Sequence, residues 1–228
     1  MEPENFLAQR LMWRTKATQD LTSASRPAHD LVSGTREVCA LIGSSLSGAN
    51  WAGVRNADYL VGLTVGFLRS HITVLDLAEQ SEVADAATLL RKNIEAVARI
   101  RELENAKNPG LLFKRTPNLN ALRGNAAKLY GDYSEIAHSS HPRVSELLGS
   151  AEDARPGWVS MHPKFSEHTL VLITNAFVVY AEFYHWARGT ALLISADFPL
   201  QKVDSWTAQL HGWHDAVSVE IDRARERP

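Results

Sequence analysis

The chain has 228 residues, enough for one well-filled core. Hydrophobic residues make up 45% and charged residues 22%, which excludes wholesale disorder. A net charge of −2 excludes the strong basic excess of a protein that grips duplex nucleic acid without sequence preference, and leaves room only for a local basic patch, such as that around Lys114, Arg115 and Arg123. Residues 5 to 20 read as a first, poorly amphipathic helix, broken at Ser23 to Pro27. A second helix is expected from Ala28 to Leu46, with Leu31, Val38, Leu41 and Ile42 on one side. Ser44 to Gly53 is a loop, and either Asn56 or Asp58 caps a third helix that runs through Glu79. Tyr59, Leu63, Phe67, Ile72 and Leu75 form its apolar stripe.

Ser81 is the expected N-cap of a fourth helix, on which Val83, Leu90, Ile94, Val97 and Ile100 recur at helical spacing up to Ala106. Asn108-Pro109-Gly110 ends it. Asn118 or Asn120 starts another helix with Leu122, Ala126, Leu129, Tyr133 and Ile136 on one face, closing near His138 to His141 ahead of Pro142. A short turn of helix at Val144 to Leu148 and a Gly-, Pro- and Asp-containing loop lead to a long apolar helix over 165 to 194. A final amphipathic helix spans Leu200 to Arg225. No segment alternates as a strand does. The expectation is an all-α helical bundle with up-and-down connections and a long central apolar helix. It reads either as an N-terminal helical appendage (1 to 50) before a bundle (51 to 228), or as one domain throughout.

The apolar run from Thr169 to Ile194 carries Asn175, Glu182, His185 and Arg188, so a core helix is a better reading than a membrane span. The lone Cys39 excludes an internal disulfide and a cysteine-rich metal site. The opening M-E-P-E-N-F-L lacks the layout of a signal peptide, and a cytoplasmic location with no membrane partner is expected.

The densest chemistry lies in Tyr130 to Pro142, Y-G-D-Y-S-E-I-A-H-S-S-H-P. Glu135 and His138 form a Glu-x-x-His pair, and Glu182 and His185 repeat it. Each pair can offer one oxygen and one imidazole nitrogen to a common ion; with Glu95 they make a candidate set for iron, manganese or zinc of the kind found in helical bundles. His168, Asn175 and Glu182, seven residues apart, fall on one stripe that faces either solvent or the bundle interior. Arg91 and Glu95, four apart, can form a surface ion pair or a partly buried anion clamp. Ser134 and His138 are also four apart and can touch.

Two segments, L-L-R-K-N-I-E-A-V-A-R-I (Leu89 to Ile100) and Tyr130 to Pro142, resemble a widespread bacterial family of helical proteins known only as a domain of unknown function. The resemblance implies a bundle in which Arg91, Glu95, Tyr130 or Tyr133, Ser134 and His138 meet as one polar cluster. That family is similar in layout to the HEPN group of often dimeric RNA-cleaving or nucleotide-binding helical proteins of stress and phage defence. In active members of that group the histidine carries a proton and the arginine steadies phosphate charge, roles that here fall to His138 and Arg91. The sole match to their closely spaced Arg and His is Arg155 and His162, in a loop. Three functions follow as expectations: a HEPN-like module acting as an atypical RNase or binding RNA, a nucleotide or a partner, with a homodimer implied by the resemblance; a metal-dependent enzyme using Glu95, Glu135, His138, Glu182 and His185; and a non-catalytic structural or regulatory protein needing no cofactor.

Overall fold

The computed structural model describes residues 3–138, 147 and 162–226. Among these the chain is all helix, with no strand. The helices are α1 (Pro3–Ala24), α2 (Arg26–Leu46), α3 (Ala57–Glu79), α4 (Val83–Asn105), a single-turn α5 (Pro109–Leu112), α6 (Ala126–Ala137), α7 (Glu167–Ile194) and α8 (Leu200–Arg225). The expected helical turn at Val144 to Leu148 falls almost wholly outside the described residues, as do Arg155, His141 and Pro142.

Cross-helix contacts fix the direction of each pair. Arg36 on α2 meets Glu79 at the far end of α3, and Gly43 approaches Leu68, so α2 and α3 are antiparallel. Asn56 reaches the carbonyl oxygens of Leu103 and Ala106 (2.8 and 3.3 Å) while Ser70 bonds Asn93, so α3 and α4 are antiparallel as well. Arg225 pairs with Glu167 (2.7 Å) and Tyr180 with Thr207 (2.9 Å), which makes α7 and α8 an antiparallel hairpin. The result is the up-and-down bundle. One core joins residues from both sides of position 50, from Leu21 and Leu31 to Phe183 and Ile221.

Helix α7 is the central element, buried along its length from Thr169 to Ile194. Its apolar residues surround the axis instead of forming one stripe, as a helix packed on several sides must. Among the described residues, one helix is long and apolar enough to cross a bilayer by length and composition alone, α3, with a mean hydropathy of 1.4 over its best window. Its Leu60, Phe67, Val74 and Leu75 are core residues shared with the other helices.

Local details depart from expectation in three places. Ser81 does not cap α4: it sits at φ 57 in the left-handed region, is buried, and its hydroxyl accepts from Thr169 (3.1 Å). Burial between α4 and α7 has overridden its capping preference. Asn56 occupies the N-cap position of α3 as expected, but it is left-handed and its side-chain amide turns to the end of α4 instead of bonding the first turn of α3. Neither Asn118 nor Asn120 starts a long helix; a 3-10 turn at Leu119–Ala121 intervenes, and α6 begins only at Ala126. Leu122 is buried in the loop between them.

Candidate functional site

Arg91 and Glu95 stand one turn apart on the flank of α4, beside the buried Leu90 and Ile94. Helix α6 lays Tyr130 across them. The Arg91 Nη2 donates to the Tyr130 hydroxyl at 3.2 Å, and that hydroxyl donates to Glu95 Oε1 at 2.8 Å. The Arg91–Glu95 ion pair closes the triangle at 3.1 Å. The Arg91 guanidinium also lies 5.5 Å from the Tyr130 ring centroid, a cation–π arrangement. Arg91 is held above its ordinary pKa, chiefly by the bond to Tyr130 and then, against burial, by Glu95. The side chains of Arg91 and Glu95 remain 21% and 26% exposed, so the cluster is half-buried and open at one edge. The Arg91 Nε is buried and makes no hydrogen bond.

Of the two tyrosines offered by the sequence, Tyr130 is therefore the one in the cluster. Tyr133, three residues on and rotated about 60° round the helix axis, turns instead toward α7, where its buried hydroxyl accepts from Asn175 Nδ2 at 2.9 Å. Burial raises its pKa. Ser134 and His138 continue the Tyr130 face one and two turns on. His138 is the exposed C-cap of α6; its backbone N–H bonds Ser134 O at 3.1 Å, while its ring and the Ser134 hydroxyl reach neither Arg91 nor Glu95. The predicted five-membered cluster is thus a triad, Arg91–Glu95–Tyr130, with Ser134 and His138 beside it.

The five candidate metal ligands do not gather. Among the described residues no three His, Cys, Asp or Glu side chains converge. Glu182 and His185 share a helix, but Glu182 is buried and His185 exposed, which splits that pair. Glu182 instead accepts the backbone N–H of Arg123 at 3.2 Å, and Arg101 donates to its carbonyl oxygen at 3.3 Å. The loop presses on the carboxylate so closely that a Cβ at Gly124 would stand 2.3 Å from Glu182 Oε1.

The stripe His168, Asn175 and Glu182 faces inward, toward α6 and the loop before it, and not solvent. Where His168 and Asn175 meet Asp132 and Tyr133 there is a cavity of about 130 Å³. Ligand pockets usually exceed about 300 Å³, so this one does not hold a nucleotide. It is the packing gap of a polar seam.

One buried group went unread in the sequence. His71 on α3 is wholly enclosed, stacked on Phe67 at 5.0 Å, with Asn93 Nδ2 at 3.3 Å from its Nδ1. Burial drives its pKa down to about 3, so it is a neutral core residue. Its signal was its position, four after Phe67 and four before Leu75, on the buried face. No protein-family model, curated protein or solved structure matches the chain, so the site is read from these residues alone.

Proposed function

We infer that the protein is a HEPN-like helical module that binds a phosphate-bearing ligand, RNA or a nucleotide, at the face where α4 meets α6. The observation that carries this reading is the Arg91–Glu95–Tyr130 triad, which holds a half-buried guanidinium at an open edge between two helices. A planar fork pre-positioned by a phenol and a carboxylate suits bidentate contact with phosphate oxygens. Ser134 and His138 extend the same face with further polar groups. Binding is favoured over cleavage because proton transfer needs the imidazole within about 3 Å of the reacting group, directly or through one water. Among the described residues no side chain bonds the His138 ring to orient it toward Arg91.

The test titrates labelled RNA and nucleotides onto wild-type, Arg91→Ala and His138→Ala protein. The expected result is binding by the wild type, about tenfold loss in Arg91→Ala from removal of one charged contact, and no cleavage product in any form. Absence of binding to every probe overturns the reading. RNA cleavage that vanishes in His138→Ala makes the protein an RNase instead.

A second reading has its own observation. Each triad member bonds the other two, and the Tyr133–Asn175 and Arg123–Glu182 bonds do the same further along the seam. Such a set of bonds can fix the docking of α6 without any ligand. Under that reading Arg91→Ala lowers the melting temperature and changes no binding.

A further inference from the structure

The acidic chain carries its positive charge unevenly. Residues 105 to 131 contain Lys107, Lys114, Arg115, Arg123 and Lys128 and not one Asp or Glu; the other residues together sum to −7 against a chain total of −2. All five cations are exposed. Among the described residues, only Arg115 of the five has a carboxylate partner, Glu102, at 2.8 Å. Glu102 is half-buried and shared with Arg99 (2.6 Å), whose Nη2 donates to the Arg115 carbonyl oxygen at 2.5 Å. This double tie holds the connector down on α4.

The same tie presents aromatic surface. Phe113, next to Lys114 and Arg115, pairs with Tyr59 of α3 at a centroid distance of 4.6 Å, with the Arg99 guanidinium 5.7 Å from the Phe113 ring. Phe113 is 47% exposed and Tyr59 46%, large values for aromatic residues already in contact. Lys107 lies at the Tyr59 end, since Asn56 anchors the carbonyl of the preceding Ala106. Arg123 comes later in the same connector, its backbone N–H fixed to the Glu182 carboxylate, while Arg101 of α4 reaches the Glu182 carbonyl oxygen. An aromatic pair flanked by unpaired cations has the two parts of a single-strand binding surface: ring faces for bases and positive charge for the backbone.

We propose that the connector of residues 107–128, with Tyr59, is a docking surface for single-stranded nucleic acid, in which bases stack against the Tyr59–Phe113 pair and the phosphates run along Lys107, Lys114, Arg115 and Arg123. It rests on the phosphate-ligand reading above and gives that ligand a polymeric form. The absence of overall basic excess is no obstacle, because the screening length at physiological salt, about 8 Å, makes the local charge decisive.

The experiment measures fluorescence anisotropy of labelled oligouridylate and oligodeoxythymidylate of about 12 nucleotides, a length within the usual site size of such surfaces. A duplex of the same length and poly-glutamate serve as competitors. The proteins are the wild type, the double variant Lys107→Glu/Lys114→Glu, Phe113→Ala and Arg91→Ala. Both lysines are exposed and form no ion pair among the described residues, so the double variant is expected to keep the fold, which its melting curve checks. The expected result is single-strand binding that the double variant weakens by tenfold or more, with the slope of log affinity against log salt reduced by about 1.4. Phe113→Ala weakens it by about tenfold with the salt slope unchanged. Binding untouched by the double variant overturns the proposal, as does competition by poly-glutamate equal to that of the oligonucleotides, which assigns the surface to an acidic protein. Loss in Arg91→Ala without loss in the connector variants removes this surface and keeps the α4–α6 face. The opposite pattern does the reverse.

Discussion

At position 71 a histidine fills a place where leucine would be the ordinary choice. Its ring is stacked on Phe67 and lies 6.4 Å from Tyr180, and its Nε2 makes no hydrogen bond. A folded-state pKa near 3, against 6.5 in the unfolded chain, means that the unfolded state binds the extra proton between those limits. Stability due to the neutral ring is therefore complete above pH 6.5 and is lost as pH falls toward 3. The full difference is on the order of 5 kcal/mol. His71→Leu removes the ring's contact with the buried Asn93 amide and should lower the melting temperature at neutral pH, yet lose less melting temperature than the wild type between pH 6.5 and 4; equal acid sensitivity of the two proteins would show that the ring stays accessible to protons. At this scale the sequence was partly legible. Arg91 and Glu95 were readable as a pair from spacing, and Tyr130 lay in the stretch singled out. Which tyrosine joined them was not, because both project from α6 and only the positions of α4 and α7 separate their roles.

At the scale of the helices, α4, α7 and α8 were legible because long periodic or unbroken apolar runs carry their own boundaries. Helix α6 was not. Its true start depends on Leu122 being buried and on the loop at Gly124 closing over Glu182, both tertiary events. The approach of α2 to α8 offers a sharp test of packing. A Cβ at Gly34 would lie 2.7 Å from both Leu210 Cδ2 and the Trp213 ring. Alanine would gain about 1 kcal/mol in helix propensity at this mid-helix position. The overlap involves a rigid ring as well as a flexible leucine, and overpacking typically costs about 1–3 kcal/mol, so the clash should win. Gly34→Ala is expected to lower the melting temperature by several degrees, as seen by calorimetry; an increase would mean that the helices separate freely.

At the scale of the whole molecule, bonded polar side chains line the side of the bundle that meets α6. The outer faces of α2, α3 and α8 carry ordinary surface ion pairs, such as Arg26–Asp30. Toward α6, by contrast, α4 and α7 turn Arg91, Glu95, Asn175 and Glu182, each bonded across to α6 or its preceding loop. The fold class followed from periodicity, whereas this asymmetry did not, because a stripe on a helix gives no sign of which neighbour it meets. Binding of a phosphate-bearing ligand at the α4–α6 face is the role proposed for this asymmetry. Amide hydrogen exchange with and without a saturating single-stranded RNA tests it most directly. Added protection in Leu89 to Ile100 and Ala126 to Ala137, absent in Arg91→Ala, is the predicted result; unchanged exchange in both segments, with the RNA demonstrably bound, would contradict it.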